Sequence, residues 1–484
     1  MNSPLYVDTQ FQQIGANDWQ ELFAYAEKSQ LSLKRDALFS GKKINVSENR
    51  PALHSALRNI DRHPIYVDDQ NVMPAVEKVW EQIRNSCQKL ENITDIIHIG
   101  IGGSDFGPRL VCDALSLSKK NKSYPKKVHF LSNIDSADLA SIISNANPKS
   151  CAIVIVSKAF TTLETMQNAK AVLEWLRNAN ITENEISQKL FAITANPKLA
   201  IQFGVHEENI LPFWDWVGGR FSVWSAVGLP IALKFGFDVF EEFLAGAFAM
   251  DQHFMQAPDQ QNQPLLMALA LYFHQKNHAV KAQAIIPYAQ SLQLFPNWLQ
   301  QLEMESNGKL AGLDKQTVGF SSAVVFGIPG TNAQHSFFQM LHQGPELIPV
   351  DFIAVQESMS DVPQHQHLHD QLLANCLAQS EALAMGNGSQ SDLNHYYPGK
   401  RPNNFIGLPR LDAFHLGALM ALYEHRTFCL GVLYGINSFD QPGVELGKKL
   451  AVPIMSAMTE PEKHIDKLHP ITAERIRWIK SQSS

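Results

Sequence analysis

Hydroxyls, a lysine and an expected helix start stand together at Ser157-Lys158-Ala159-Phe160-Thr161-Thr162-Leu163-Glu164-Thr165, directly after the apolar run Cys151–Val156. A strand, a hydroxyl-rich loop and a helix start form an anion receptor. The first helical turn leaves N–H groups unpaired, and its dipole favours negative charge. Ser157, Thr162 and Thr165 supply donors and Lys158 a cation. The same letters admit a plainer reading, in which Thr161 and Glu164 form a capping box. A second turn, Gly100-Ile101-Gly102-Gly103-Ser104-Asp105-Phe106-Gly107-Pro108, follows the apolar residues 96–99. Its glycines let a ligand approach backbone N–H groups. Asp105 occupies the place where a dinucleotide fingerprint needs glycine, and no Walker motif is present.

Four more polar segments lie in apolar surroundings. They are Gly218-Gly219-Arg220-Phe221-Ser222, Glu303-Met304-Glu305-Ser306-Asn307-Gly308-Lys309, Gly330-Thr331-Asn332-Ala333-Gln334-His335 and Gln441-Pro442-Gly443-Val444-Glu445-Leu446-Gly447-Lys448. Arginine can stabilise developing negative charge, a carboxylate can take a proton from carbon, and histidine or lysine can exchange protons with oxygen. Singly, each has a structural reading: Arg220 in an ion pair, Glu305 at a turn, His335 at a helix start, Lys448 in solvent. His365, His367 and His369 with Asp370 look like metal ligands. Their alternate spacing shares one face only in an extended chain, and the run at 372–384 that follows reads as helix, so solvated or capping histidines are expected.

These residues need a scaffold. Asp95–Ile101, Lys127–Leu131, Cys151–Val156 and Leu190–Thr194 are short apolar runs with helical stretches between them, which predicts a parallel sheet covered on both faces. A second group is expected at Ala282–Pro287 and Thr317–Phe326. Helices are expected at Phe240–Ala257, Pro264–Gln275, Gln334–Leu341 and His369–Ala384, with a polar connection at Ser389–Asn404. The stretch from Gly443 to Lys480 reads as helical, interrupted by Pro453 and Pro461.

Bulk properties describe a globular chain able to bury a large core. With 484 residues, two domains are the natural expectation. Hydrophobic residues make up 45% and charged residues 18%, a globular balance, and the net charge of −7 speaks against non-specific nucleic-acid binding. Five widely spaced cysteines form no C-x-x-C pair, which argues against a disulfide framework or a cysteine zinc site. Residues 1–8 show no signal-peptide pattern and no run is long enough to span a bilayer, so a cytoplasmic, membrane-free protein is expected.

Taken together, GIGGSDFGP, SKAFTTLET, VGGRFSVWSAVGLP, QLEMESNGK, PGTNAQHSFFQMLHQG and DQPGVELGK closely resemble the corresponding segments of the glucose-6-phosphate isomerase family, in the family's order. The resemblance runs from about Ile96 to Lys448. It implies two α/β/α sugar-isomerase domains with parallel-rich sheets and a helical C-terminal arm. The expected divisions are 58–235 for the smaller domain, 1–57 with 236–440 for the larger, and 441–484 for the arm. It implies that Ser157, Lys158, Thr162 and Thr165 line a phosphate site, that Gly103 and Ser104 contact the sugar, and that Arg220, Gln301, Glu305, His335, Gln441 and Lys448 complete the active site. It also implies a homodimer in which His335 serves the partner's site, and interconversion of glucose 6-phosphate and fructose 6-phosphate. Aldose–ketose isomerisation only shifts electrons between neighbouring carbons, so no redox cofactor or metal is expected. Ala159, Leu163 and Pro442 depart from residues that many members carry, namely threonine, glutamine and tryptophan. A sugar-phosphate sensor would need the phosphate loop but no base, and the joint presence of Glu305, His335 and Lys448 speaks against it. Acceptance of mannose 6-phosphate as well stays open.

Overall fold

Apolar β-branched runs too short for helices make the strands of this protein, and their order in space creates its crevices. The structure, a computed structural model, describes residues 3–116 and 126–481. It divides into two compact units, residues 1–439 and 440–484.

In the first unit, β1 (Tyr6–Asp8) and a small hairpin, β2 (Tyr66–Val67) with β3 (Gln70–Asn71), precede five strands. These are β4 (Asp95–Ile99), β5 (Lys127–Leu131), β6 (Cys151–Val156), β7 (Leu190–Thr194) and β8 (Ile210–Pro212). They pair in parallel in the order β5-β4-β6-β7-β8. All six residues of β6 are buried, as expected of a strand covered on both faces. Alternation divides them: Ala152, Val154 and Val156 enter one core, and Cys151, Ile153 and Ile155 the other. Helix Leu163–Asn178 joins the second core through Ala169, Val172, Leu173 and Leu176, while helices Met73–Lys89 and Phe106–Ser116 pack into the first. The chain reverses its winding between β4 and β6, so the loops after these two strands flank a topological switch point, where open α/β sheets leave a crevice.

A second sheet is built from β9 (Ala282–Tyr288), β10 (Val324–Phe326), β11 (Val350–Val355) and β12 (Asn403–Leu408). Its order is β1-β12-β11-β9-β10, parallel except for antiparallel β1 at the edge. Helix Ala413–Tyr434 is buried along almost its whole length and contributes to two of the cores.

Several expectations need correction. The expected strand Thr317–Phe326 shrinks to β10, with Thr317 making only an isolated bridge to Ala311. The expected helix Gln334–Leu341 is split into Gly330–Gln334 and Phe338–Gln343. Strand β12 begins inside the connection expected at Ser389–Asn404. The second unit holds helices Glu445–Thr459, Pro461–His464 and Pro470–Ser481 around Ala457, Ile465, Ala473 and Ile476. Pro453 does not interrupt the first of these; it lies inside that helix on an exposed turn. No helix among the described residues is long and apolar enough to cross a membrane.

Candidate active site

The loop after β6 departs from regular geometry at once. Phe160 adopts a left-handed φ of 56° while its ring is buried against Phe203. That turn lets the chain enter helix Leu163–Asn178 with Thr162 as N-cap. The capping box expected from Thr161 and Glu164 is not formed, because the helix starts one residue later. Thr162 does not cap with its side chain either: its Oγ1 lies 3.0 Å from Ser157 Oγ, and the two hydroxyls share a hydrogen bond. Thr165 Oγ1 is buried with no hydrogen-bond partner among the described residues. A buried hydroxyl without a partner is costly unless something fills its place. With the first-turn N–H groups at its side, it makes this loop a cradle for an anion.

Lys158 turns toward a neighbouring loop. Its Nζ donates to the carbonyl oxygens of Asp215 at 3.0 Å and Val217 at 3.2 Å. Burial, with Arg50 nearby, holds its ammonium below the usual value of 10.5. An arriving anion would oppose both effects. Val217 leads into Gly218-Gly219-Arg220, so the anion loop and the arginine loop are tied through this side chain.

The glycine turn after β4 closes on the same loop. A Cβ placed on Gly103 would overlap the Gly219 carbonyl and lie 2.5 Å from Arg220 N, so only glycine allows this approach. Gly102, at φ +63°, lies against Gln301: a Cβ there would sit 3.1 Å from Gln301 Nε2. His98, buried in β4, anchors the turn by donating from Nε2 to the Ser104 carbonyl at 2.7 Å, and burial pushes its imidazole down to about 4. Asp105 accepts from Arg109 Nε at 2.9 Å.

Gln301 and Glu305 mark the ends of a π-helical turn, Gln301–Glu305, which continues helix Phe295–Gln300. Such turns place side chains where a regular helix would not, and they recur at functional sites. Glu305 Oε1 lies 3.7 Å from Arg220 Nη1; the arginine side chain is 2% exposed and the glutamate side chain 23%. Arg220 also donates from Nε to Ser306 Oγ at 2.6 Å and from Nη2 to the Ser438 carbonyl at 2.6 Å. Thus Gly102, Gly103, Arg220, Gln301 and Glu305 come together, with Ser157, Lys158, Thr162 and Thr165 linked to them through Lys158. Ser104 belongs to the same turn as Gly103.

His335 is exposed at the end of helix Gly330–Gln334. Gln441 and Lys448 belong to the second unit, where Lys448 Nζ lies 2.9 Å from Glu445 Oε1. His365 and His369 fall within helix His365–Met385; His365 Nδ1 is 2.7 Å from Ser360 Oγ, and His369 donates from Nε2 to the Gln356 carbonyl. No group of three or more potential metal ligands occurs among the described residues. Not singled out in the sequence were Ser306 and Ser438, which hold Arg220, nor the buried set Arg58, Asp251 and Glu424. Arg58 bonds both carboxylates. Beside them His54 stacks on Phe221 at 4.6 Å. The contiguous polar run ESN inside an apolar helix was the available signal for Ser306.

Fold and site define a doubly wound α/β protein that can receive a small anion at a strand switch point and that pairs a carboxylate with a buried arginine nearby. The chain belongs to the phosphoglucose isomerase family, whose model matches residues 8–474. It is 43% identical over 478 residues to a glucose-6-phosphate isomerase of Cupriavidus metallidurans, covering 94% of this chain and 87% of that one. It is 44% identical over 461 residues to another of Dechloromonas aromatica, covering 92% and 86%. A crystal structure of a glucose-6-phosphate isomerase from Chlamydia trachomatis superposes with a TM-score of 0.88 at 29% identity, covering 100% of this chain and 92% of that one.

Proposed function

We propose that this chain interconverts glucose 6-phosphate and fructose 6-phosphate, the step shared by glycolysis and gluconeogenesis. The observation that carries this reading is the Arg220–Glu305 pair beside an anion cradle with an unfilled hydroxyl, in a member of this family.

The phosphate docks on Ser157, Thr162, Thr165 and Lys158, while Gly103, Ser104, Gln301 and Gln441 contact the sugar. Ring opening needs a proton for the ring oxygen and an acceptor for the anomeric hydroxyl proton, the work given to His335 and Lys448. Glu305 then takes the C2 proton. The C–H electron pair forms the C1–C2 double bond, and charge gathers on O1 as an enediolate. Arg220 stabilises that charge: guanidinium stays ionised and its donors are directed. Transfer of the O2 proton to O1 and return of the proton from Glu305 to C1 give the ketose.

A carboxylate suits both directions because it gives back what it takes. The exposure of His335 at a helix end suits service to a second subunit, so the active form is a homodimer, working in the cytoplasm. Each half-sheet system then forms one sugar-isomerase domain, divided near residues 58 and 235, with the arm from 441.

The test is Glu305→Gln, which keeps shape and removes the base. Turnover of fructose 6-phosphate, read through a glucose 6-phosphate dehydrogenase with chelator present, is expected to fall at least about a hundredfold. Near-normal turnover, or undiminished solvent hydrogen exchange at C1 and C2, would remove Glu305 from this role.

A further inference from the structure

Behind Arg220 lies a run of buried polar side chains that the proposed chemistry does not use. Ser306, Asn307 and Glu303 are fully buried, and Ser438 nearly so. Ser306 Oγ accepts from Arg220 Nε, and the Ser438 carbonyl accepts from Nη2. Ser438 Oγ in turn donates to Asn307 Oδ1 at 2.7 Å. Asn307 Nδ2 donates to Glu303 Oε1 at 3.1 Å and to the Thr427 carbonyl at 2.9 Å, and Thr427 Oγ1 donates to Glu303 Oε2 at 2.6 Å. With Nδ2 committed to two acceptors, the Asn307 amide has one orientation, and its oxygen must face Ser438.

Space for this chain of bonds comes from Gly431 in helix Ala413–Tyr434. A Cβ there would overlap Ser438 Oγ and lie 3.0 Å from Asn307 Oδ1. On the other side, Lys309 Nζ donates to the carbonyls of Glu305 and Ser306, fixing the end of the helix that carries the base.

We infer that Ser306, and Asn307 acting through Ser438, are positioning residues for the isomerisation. They hold the guanidinium plane at two points so that Nη1 is the nitrogen turned toward Glu305. A planar fork bound at one point can still pivot about it; bound at Nε and Nη2 it cannot. Fixed donors stabilise developing charge without reorganising at the moment of reaction, and that is what this scaffold supplies. The inference rests on the enediolate role given to Arg220, and the test separates the two.

The experiment is a double-variant cycle on the full chain. Ser306→Ala is expected to lower kcat about tenfold or more, since displacements near 1 Å can cost a hundredfold. KM and the inhibition constant for inorganic phosphate stay near wild type. Ser306→Thr, which keeps the hydroxyl, restores kcat. Gly431→Ala, which removes no polar group, shows the same split between kcat and KM. In the Arg220→Ala background, Ser306→Ala has no further effect, because coupled residues lose their interaction only once.

Wild-type kcat in Ser306→Ala, or losses that simply add in the double variant, would overturn the inference while leaving Arg220 in place. Wild-type kcat in Arg220→Ala alone would instead overturn the enediolate role itself. If Ser306→Ala does not yield folded protein, Ser306→Cys, with similar size and a poorer acceptor, carries the same comparison.

Discussion

Replacing Gly103 by alanine tests the interlock of two loops with a single methyl group. The added Cβ would overlap the Gly219 carbonyl and stand 2.5 Å from Arg220 N, where ordinary contact begins at 3.4 Å. Both neighbours are backbone, so no side-chain rotation relieves the overlap. Clearing it moves Arg220 by about 0.9 Å or more, and a misplacement near 1 Å commonly costs about a hundredfold in rate. That is a barrier increase of about 2.7 kcal/mol. The assay is coupled turnover of fructose 6-phosphate, with thermal unfolding and phosphate inhibition measured in parallel. The expected result is a kcat near one hundredth of wild type and a lowered Tm. Gly219→Ala supplies the contrast, since a Cβ there meets nothing within 4 Å; its Tm is expected to stay at the wild-type value. Gly103→Ala with kcat within about twofold of wild type would refute the reasoning, because it would mean that the contact does not set the arginine's position.

Two other outcomes follow from buried groups. Thr165→Val removes a hydroxyl that has no hydrogen-bond partner among the described residues, so Tm should hold or rise while the inhibition constant for inorganic phosphate increases about tenfold; a lower Tm with unchanged inhibition contradicts this. His98 titrates at about 4 in the folded protein against 6.5 ordinarily. The unfolded chain therefore takes its proton first, and the stability held by neutral His98 is whole above pH 6.5 and lost as pH falls toward 4. In urea unfolding, the advantage of wild type over His98→Gln should shrink by about 3 kcal/mol across that window. An advantage independent of pH would count against the buried neutral imidazole.

Four of the five strands of the first sheet could be read almost residue for residue because continuous apolar runs leave little alternative, whereas the three-residue β8, ending in a proline, went unread. Helix Ala413–Tyr434 escaped notice for the opposite reason: buried on every side, it carries no amphipathic period. Strand β12 was hidden by Asn403 and Asn404, polar residues that are buried because Ser380 and Asp351 bond them. At the site, the anion loop was legible as a local string, but the helix start was misplaced by one residue. Thr162 spends its hydroxyl on Ser157, a partner that no capping rule names. The bonds from Thr427 to Glu303 and Asn307, and from Ser438 to Asn307, join residues more than a hundred apart, which no local pattern encodes.

Lys158 spans from the loop proposed to receive the substrate's phosphate to the carbonyls just ahead of Gly218. On that reading, capture of the substrate's tail and alignment of the guanidinium are coupled like two ends of one lever. A ketose lacking its phosphate leaves that lever unloaded, so crowding the solution with it cannot restore speed; binding energy from the remote end is spent on the reacting carbons. On the proposed function, selectivity for phosphorylated sugars would then reside in the velocity of the bound state as well as in its occupancy.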